Sequence, residues 1–397
     1  MPEPTIDDYR WLVSDKAQPF LEEAASPSGS LVALTKRLRT VLTPERTHLV
    51  LEQVELRERA RVKFSRPENM FFTRKLLEQS TDEQIANYKA SRFPSDQPIA
   101  DLCCGIGGDS LALAQRGPCV AVDRDPVAIT LVEANGRVLG VGALSCEETD
   151  VRSLDGHLES AAWHIDPDRR VAVQRTSQAV YSEPSLDVIQ MLRQRIDHGA
   201  IKLAPGAQLS DRWQNDMSVE LEWIGSRREC RQQVVWIGSL AHHPGRRTAT
   251  VLDRWGESHS FTGEAELQVD VAPCGRYLFA PDSTLLASRL VGGLADQLQL
   301  RATSYGLSYY TADEYRESAL MEAFEVQELL NLDVRRLKRL LREHKVGSLE
   351  IKVRGVEINP AELRKKLQPK GSESATILIF RSGEHVKVAV AQRCLLT

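Results

Sequence analysis

The sequence predicts an α/β protein with a helical N-terminal region and a small α+β domain at the C-terminus. Residues 98–203 alternate short apolar runs with helical segments, which is typical of a parallel sheet covered by helices. Earlier residues carry apolar side chains at helical spacing, and the C-terminal end combines helical and strand patterns. We therefore divide the 397 residues into a helical region 1–95, a central domain 96–325 and a C-terminal domain 326–397.

The N-terminal region is predicted to contain two helices joined by an aromatic segment. Apolar residues recur every three or four positions between residues 31 and 41. A second helix is expected to begin at Ser80, because Ser80 and Glu83 have the spacing of a capping box, and to end before Pro94. The connection 66–73 is rich in aromatic residues, which either pack in the core or contact a ligand.

The central domain is predicted to be a parallel sheet followed by an antiparallel hairpin. The parallel strands share short apolar runs that end at a turn, and they cover 99–103, 120–123, 143–149, 162–166 and 200–203. Helices are predicted between them at 109–115, 126–135 and 184–195. Residues 219–223 alternate apolar side chains with glutamates and predict a hairpin with 234–237. A strand at 249–252 and a helix over 282–300 complete the domain.

The C-terminal domain has two predicted helices, three predicted strands and an excess of positive charge. The first helix, 334–342, places most of its basic side chains outside, and Asn359 with Pro360 begins the second. The strands are 349–353, 376–381 and 386–391. Residues 331–397 contain 15 Lys and Arg against 7 Asp and Glu, within a chain whose net charge is −4. This balance indicates a polyanionic partner, although a solvated charged surface is an equal alternative.

The composition predicts a cytoplasmic protein without a membrane span. The first residues are acidic and lack the apolar core of a signal peptide. No run approaches the roughly 18 apolar residues that a span needs. The seven cysteines include no Cys-x-x-Cys pair, and no histidine has zinc-ligand spacing, so we expect neither a disulfide framework nor a metal site.

A glycine-rich turn follows the first predicted strand. It runs from Asp101 through Gly105 and Gly107 into a helix, so the backbone can pass close to a nucleotide-like ligand. Asp123 ends the second strand, where a carboxylate can accept both hydroxyls of a ribose. The glycines alone fit a dinucleotide-binding turn equally well.

The charged residues beside the turn distinguish a dinucleotide from S-adenosylmethionine as the ligand. A pyrophosphate favours a helix N-terminus without carboxylates, yet Asp101 and Asp109 flank this turn. S-adenosylmethionine has no phosphate and carries an ammonium and a sulfonium, which carboxylates attract. The pattern therefore favours S-adenosylmethionine. Asp109 has a second interpretation, as the N-cap of the following helix.

Residues 101–167 resemble the class I S-adenosylmethionine-dependent methyltransferases, whose sheet is Rossmann-like. The resemblance implies that Asp123 binds the ribose and that Asp150, after the third strand, contacts the adenine side. The cofactor-binding residues that it implies are Asp101, Cys103, Gly105, Gly107, Asp123 and Asp150. Cys103 replaces the first glycine of the usual Gly-x-Gly-x-Gly, which is tolerated if φ of Cys103 is negative.

Two further resemblances extend over most of the chain. Residues 80–92 with 101–108 look like the trimethylguanosine synthase group, which methylates N2 of guanine in RNA caps. Residues 349–355 and 359–366 look like the bacterial THUMP-like domain fused to such methyltransferases. By analogy with THUMP domains, RNA is the expected partner of the basic C-terminal domain.

The acceptor motif departs from the family pattern. Amino-methylating members have Asp or Asn, two prolines and an aromatic residue, whereas this chain has Asp166, Pro167, Asp168 and Arg169. Asp166 can accept the N–H of a target amine as positive charge develops. The guanidinium plane of Arg169 can stack on a base in place of the aromatic ring. These four residues are the predicted catalytic set, and the alternative is a salt-bridged loop that touches no substrate.

The sequence therefore predicts a methyltransferase that uses S-adenosylmethionine and acts on a ring or exocyclic nitrogen of an RNA base. The missing aromatic residue leaves a second hypothesis, an RNA-binding protein that holds the cofactor without catalysis. A third hypothesis is a methyltransferase of a small molecule or a protein, in which the C-terminal domain serves assembly.

Overall fold

A computed structural model describes residues 3–26, 29–154, 159–168, 183–306 and 308–395. The chain divides into two compact units. The first unit comprises residues 1–221 and 232–245, and the second comprises 222–231 and 246–397.

The first unit begins with helices, as the periodicity of residues 1–95 predicts. They are α1 (Ile6–Leu12), α2 (Gln18–Ala25), α3 (Leu31–Leu38), α4 (Pro44–Ala60), α5 (Arg74–Gln79) and α6 (Glu83–Ser91). The capping box predicted for Ser80 and Glu83 is wrong. The N-cap of α6 is Asp82, whose carboxylate accepts the backbone N–H three residues later at 3.0 Å. The Ser80 hydroxyl instead donates to the Leu77 carbonyl at the end of α5.

The aromatic segment 66–73 belongs to the hydrophobic core. Phe71 and Phe72 are 5% and 0% exposed and pack among the N-terminal helices. Gln53 on α4 donates to the Phe72 carbonyl at 2.6 Å and accepts the Phe72 N–H at 3.0 Å. Asn135 accepts the Phe71 N–H at 2.8 Å. The structure therefore places both rings in the core, and buried side chains hold the backbone of both residues.

A parallel sheet forms the centre of the first unit. Its strands are β1 (Ile99–Leu102), β2 (Cys119–Asp123), β3 (Leu144–Glu148), β4 (Ala162–Ile165) and β5 (Gly199–Leu203). The helices that follow β1, β2, β4 and β5 are α7 (Gly108–Ala114), α8 (Pro126–Leu139), α9 (Leu186–Arg195) and α10 (Asp211–Gln214). The order β3-β2-β1-β4-β5 confirms the predicted parallel sheet. The carboxyl ends of β2, β1 and β4 therefore lie side by side, where ligand sites form in such sheets.

A hairpin continues the chain after the parallel strands. It consists of β6 (Val219–Ser226) and β7 (Glu229–Ile237), close to the bounds expected from the alternation of apolar and acidic residues. β7 pairs antiparallel with β5, so that Ala200 lies opposite Trp236. Glu220 on β6 is fully buried, and its carboxylate accepts a hydrogen bond from Arg92 at 2.6 Å.

The second unit contains a hairpin and a larger sheet. β8 (Arg247–Leu252) and β9 (Ser258–Gly263) pair antiparallel. The other strands are β10 (Tyr277–Pro281), β11 (Arg301–Ala302), β12 (Tyr310–Ala312), β13 (Met321–Asn331), β14 (Val346–Arg354), β15 (Glu373–Ser382) and β16 (His385–Arg393). Their order is β11-β12-β10-β13-β16-β15-β14. The helices are α11 (Ser283–Ser288), α12 (Val291–Gln297), α13 (Val334–Glu343) and α14 (Pro360–Leu367).

Two expectations about the second unit have different outcomes. The single helix predicted over 282–300 is wrong, because α11 ends at Ser288 and its C-cap Arg289, with a φ of +63°, turns the chain before α12 begins. The cap predicted at Asn359 is confirmed, since its side chain accepts the Ala361 N–H at 2.9 Å. The division into domains at 95 and 325 stays a proposal. The N-terminal helices share a core with α7 and α8, and β10 and β13 belong to one sheet.

The longest helix of the described part of the chain, α4, has 17 residues and is rich in charged side chains. Within the described ranges no helix combines the length and the apolar character needed to cross a membrane.

Candidate cofactor and acceptor site

The glycine-rich turn after β1 is tightly wound. Gly105 and Gly107 have φ values of +56° and +85°, in the region that favours glycine. A Cβ on Gly107 would lie 2.4 Å from Cγ2 of Val132, so a side chain has no room there. The Gly107 N–H donates to the Cys104 carbonyl at 3.0 Å and closes the turn at the start of α7. This geometry presents bare backbone at the carboxyl end of β1, as the sequence predicts.

Cys103 departs from the expected conformation. Its φ is +57°, so the negative φ under which a cysteine is tolerated in place of the family's glycine is not present. The left-handed region costs a side-chain-bearing residue free energy and persists where the surroundings impose it. Burial, and then the charge of Asp123, raises the pKa of the Cys103 thiol well above its usual value. The thiol therefore stays protonated and is a poor nucleophile.

Asp123 stands at the end of β2 beside the turn. One carboxylate oxygen accepts the Gly105 N–H at 3.0 Å and the other accepts the Asp125 N–H at 3.0 Å. Burial raises the pKa of Asp123 above its usual value, although these N–H groups oppose the shift. Each oxygen keeps a lone pair, so the carboxylate can still accept hydroxyl groups.

Asp150 begins a short helical turn after β3. Its carboxylate accepts two hydrogen bonds from the Arg152 guanidinium, at 3.0 and 2.6 Å. The hydrogen bonding by Arg152 lowers the pKa of Asp150 to about 2. Arg124, the residue after Asp123, pairs with Glu183 at 2.6 Å and lies 4.0 Å from Asp150. The predicted adenine-side residue is therefore one member of an exposed cluster of alternating charges.

Asp101 is enclosed within the protein. It is 1% exposed, its Oδ1 lies 2.7 Å from Nδ1 of His164, and its Oδ2 accepts a hydrogen bond from the Ser110 hydroxyl. The sequence analysis expected this carboxylate to attract the charged cofactor. Because both oxygens already have partners inside the fold, the side chain first of all fixes the end of β1 and the start of α7.

Asp109 is also engaged within the protein. The N-cap role predicted for Asp109 is wrong, because the N-cap of α7 is Gly107, which has no side chain. Its carboxylate lies 2.7 Å from the Lys89 ammonium and accepts from the Thr81 hydroxyl at 2.6 Å. Burial would raise the pKa of Asp109, but the charge of Lys89 holds it well below its usual range. The buried Lys89 also lies 3.0 Å from Nε2 of His164.

Asp166 follows β4, next to the turn. Its side chain is 31% exposed, and its Oδ2 lies 2.5 Å from the Lys202 ammonium. Its backbone N–H donates to the Leu102 carbonyl at 3.2 Å, which ties the start of the loop to β1. The other carboxylate oxygen has no hydrogen bond to any part of the chain that the structure describes. Asp166 is therefore a fixed and accessible hydrogen-bond acceptor.

The rest of the acceptor motif is described only in part. Asp168 forms an isolated antiparallel bridge with Glu183, with backbone hydrogen bonds of 3.0 and 2.7 Å. Its carboxylate accepts from the Gln79 amide at 3.3 Å and lies 3.6 Å from the Lys75 ammonium. Pro167 connects the two acids, whereas the predicted catalytic residue Arg169 lies outside the described residues. Asp168 therefore has an ion pair with Lys75, whereas the arginines of the salt-bridged loop considered as an alternative lie outside the described residues.

Sequence reasoning missed the cations and the histidine of this site. His164 and Lys202 lie in the otherwise apolar strands β4 and β5, Lys89 lies in the mixed sequence of α6, and none was singled out. The signal was present, because a charged residue inside a predicted buried strand needs a partner. Which acid each one meets depends on the tertiary fold.

Together these residues form a candidate site at the carboxyl ends of three neighbouring strands, in the order β2, β1 and β4. The end of β2 offers a carboxylate for hydroxyl groups, the turn after β1 offers bare backbone, and the end of β4 offers an acceptor for an N–H group. A ligand that lies across the turn would have one end at Asp123 and the other at Asp166.

Comparisons with known proteins identify the modules. A family model described as THUMP domain-like matches residues 321–393, and a domain of unknown function matches residues 5–60. The chain is 31% identical over 314 residues to an uncharacterized S-adenosylmethionine-dependent methyltransferase of Mycobacterium tuberculosis, covering 79% of this chain and 85% of the relative.

A solved structure shares the fold over nearly the whole chain. The crystal structure of a candidate methyltransferase from Porphyromonas gingivalis W83 has a TM-score of 0.76 and 20% sequence identity, and the likeness covers 98% of each chain. With the C-terminal family match, it confirms the predicted fold class: a Rossmann-like methyltransferase sheet with an N-terminal helical region and a C-terminal α+β domain.

Proposed function

Because the chain belongs to the S-adenosylmethionine-dependent methyltransferases, we propose that it methylates a nitrogen of an RNA base. Its cofactor is S-adenosylmethionine, which supplies a methyl group already activated by the sulfonium. The observation that carries the proposal is Asp166, an accessible carboxylate fixed beside the glycine-rich turn.

The residues around the turn fit this cofactor. Gly105 and Gly107 wind the turn tightly at the end of β1, and Asp123 beside it has lone pairs that can accept the two ribose hydroxyls. Asp150 lies after the next strand, on the side proposed for the adenine. The turn residues Cys103 and Gly105 complete the proposed cofactor-binding set. Asp101 contributes to this set indirectly, because it fixes the end of β1.

At the other end, Asp166 orients the nucleophile. Methyl transfer is an in-line displacement, so most of the rate comes from the position of the acceptor lone pair. The second carboxylate oxygen of Asp166, for which the described residues provide no hydrogen bond, accepts the N–H of the target amine, and the carboxylate charge stabilises the positive charge that develops on nitrogen. We propose that the Pro167 carbonyl and Asp168 shape the loop that holds the base and that Arg169 stacks on it.

Two basic helices support RNA as the substrate. α13 and α14 pack side by side on the C-terminal sheet through Leu337, Leu341, Leu363 and Leu367. Lys338 joins them, donating to the Lys366 carbonyl at 3.3 Å and to Gln368 at 2.8 Å. Their exposed basic side chains, which we call the basic face, are Arg335, Arg336, Arg339, Arg342, Arg364, Lys365 and Lys366. Such a face suits a phosphate backbone, and THUMP domains suggest the same partner by analogy.

The resemblance of residues 80–92 and 101–108 to the trimethylguanosine synthase group supports a nucleobase as the target. Those enzymes methylate the N2 amino group of guanine. That group bears N–H donors of the kind that the second carboxylate oxygen of Asp166 accepts.

RNA affinity as a function of salt concentration tests the proposed partner. The double variant Arg339→Gln, Lys365→Gln on the basic face should bind RNA more weakly, and each lost phosphate contact should reduce the slope of log affinity against log salt by roughly 0.7–0.9. The variant Lys36→Gln, Arg39→Gln makes the same charge change at two exposed side chains, on α3 and directly after it, and should bind like the intact protein. An affinity that is independent of salt would contradict the proposal.

A second candidate function follows from Asp168 and Arg169, which replace the second proline and the aromatic residue of amino-methylating enzymes. In that case the protein binds RNA and cofactor without catalysis. RNA binding with no methyl transfer would support it, whereas methylation of a small-molecule or protein fraction would support the third hypothesis.

A further inference from the structure

We propose that Lys202 is a positioning residue for methyl transfer, which fixes Asp166 by bridging it to the C-terminal end of helix α5. The proposal rests on the acceptor role proposed above for Asp166. Lys202 acts through that carboxylate and needs no contact with substrate or cofactor.

The contacts of Lys202 define the bridge. Its ammonium lies 2.5 Å from Oδ2 of Asp166 and donates to the Gln79 backbone carbonyl at 3.1 Å. Lys202 is on β5 and Asp166 follows the neighbouring strand β4, so the contact joins the ends of adjacent strands. The Lys202 side chain is 13% exposed against 31% for Asp166. The lysine is thus the shielded member of the pair, and the carboxylate is the accessible one.

Helix α5 is a firm anchor for this bridge. The Lys63 ammonium caps its C-terminal end, donating to the Leu77 and Ser80 carbonyls at 2.7 Å each. At its other end the Thr73 hydroxyl accepts the Leu76 N–H at 3.2 Å. Lysines at a helix C-terminus satisfy carbonyls that lack a partner within the helix and complement its dipole. The Gln79 carbonyl that Lys202 binds therefore belongs to a segment that other residues already hold.

The same helix touches the acceptor loop a second time. The Gln79 side-chain amide donates to Asp168 at 3.3 Å, while its backbone carbonyl accepts from Lys202. One residue of α5 thus restrains the loop at Asp168 directly and at Asp166 through the lysine. The structure assigns the N-terminal helical region a part in the geometry of the acceptor site.

A lysine suits this role chemically. Burial would lower the pKa of Lys202, but the charge of Asp166 raises it above the usual value. Lys202 is therefore a cation and not a general base. Its ammonium can only donate hydrogen bonds, which suits a carboxylate and a carbonyl as its two partners.

The test compares Lys202→Met and Lys202→Arg with the intact protein, with the exposed Lys36→Met as the control. Each protein receives radiolabelled S-adenosylmethionine together with RNA, protein or small-molecule fractions of a bacterial strain that lacks the gene. The initial rate is measured at saturating substrate. Cofactor affinity is measured by calorimetry and folding by urea unfolding.

We expect Lys202→Met to lower the rate by roughly 10- to 100-fold, the order of loss that a misplaced reacting group causes. Its cofactor affinity should stay that of the intact protein. Lys202→Arg should restore most of the rate, because arginine keeps the charge and can donate to both partners. Lys36→Met should behave as the intact protein.

Three results would overturn the inference: an unchanged rate in Lys202→Met, a loss of cofactor affinity that accounts for the whole effect, or a Lys202→Arg variant as slow as Lys202→Met. Label in a fraction other than RNA would reject the RNA substrate alone, and Lys202 would then be tested on that fraction. If the intact protein labels no fraction, the proposed function and the inference that rests on it both fail.

Discussion

Nδ1 of His164 lies 2.7 Å from a carboxylate oxygen of Asp101, and the two residues face each other in register on the adjacent parallel strands β4 and β1. On the other side of the ring, Nε2 lies 3.0 Å from the Lys89 ammonium. A protonated Lys89 can only donate, so the ring proton sits on Nδ1 and points at Asp101. The acid that begins the glycine-rich turn is thus held in place by a buried chain of polar groups.

Removing the cation of this chain should destabilise the fold. Lys89→Met leaves Asp109 buried without a countercharge, so the free energy of unfolding should fall by roughly 3–5 kcal/mol. The double variant Lys89→Met, Asp109→Asn should recover a large part of the loss, because asparagine has no charge and keeps an acceptor for Thr81. Urea unfolding measures both. If the double variant is no more stable than the single one, the ion pair does not have the role described.

Gly107 should be far less tolerant of alanine than Gly140, which provides a matched control. Both have positive φ, at +85° and +73°, but only Gly107 has a neighbour in the way, since nothing lies within 4 Å of a Cβ on Gly140. Gly140→Ala should cost about 1 kcal/mol from backbone strain, and Gly107→Ala about 1–3 kcal/mol more from crowding against Val132. Only Gly107→Ala should weaken cofactor binding. Equal free energies of unfolding and equal cofactor affinities for the two variants would contradict the crowding of Gly107 against Val132.

The left-handed backbone of Cys103 predicts an unusual order of substitutions. Cys103→Gly should be tolerated, because glycine adopts a φ of +57° without strain, whereas Cys103→Val places a β-branched residue in a region that it avoids. The valine variant should unfold more easily than the glycine variant by about 1–2 kcal/mol. Urea unfolding at neutral pH measures the difference. A valine variant as stable as the glycine variant would mean that the turn has another conformation.

Cofactor affinity should depend on pH through Asp123. Hydroxyl groups bind its ionised form, and burial raises its pKa above the usual value. Affinity should therefore be complete above that raised pKa and fall as the pH drops through it. Asp123→Asn should bind roughly 10- to 100-fold more weakly at neutral pH, as expected for hydrogen bonds to a charged group, and should lose this pH dependence. Calorimetry with S-adenosylmethionine across the acidic range checks both effects, and an unchanged affinity in Asp123→Asn would rule out the ribose contact.

The parallel sheet was predictable because its strands are short apolar runs ending at turns. β13 was not predicted. Its sequence, Met321–Asn331, contains three Glu and two Leu, which favour helices, and its extended form depends on pairing with β10 and β16. Local preference and tertiary pairing disagree there, and the pairing prevails.

The candidate site was predictable in its acids but not in their partners. Asp101, Asp123, Asp150 and Asp166 stand at strand ends, where the motif order places them. The partner of Asp166, Lys202, is 36 residues away in sequence, and that of Asp101, His164, is 63 residues away. Such pairs follow from strand order and register, which a single sequence does not reveal, and they add a structural role to Asp101, whose part in cofactor binding stays a prediction.

The most direct test of the account is methyl transfer to RNA by the intact protein and by Asp166→Asn. RNA from a strain lacking the gene is incubated with radiolabelled S-adenosylmethionine at concentrations that saturate both proteins, and the RNA is then digested to nucleosides. The account predicts a labelled nucleoside methylated on nitrogen with the intact protein, and a rate lower by roughly 10²- to 10³-fold with Asp166→Asn, at equal cofactor and RNA binding. An intact protein that binds both ligands and transfers no label, or an Asp166→Asn variant that transfers it at the full rate, would contradict the account.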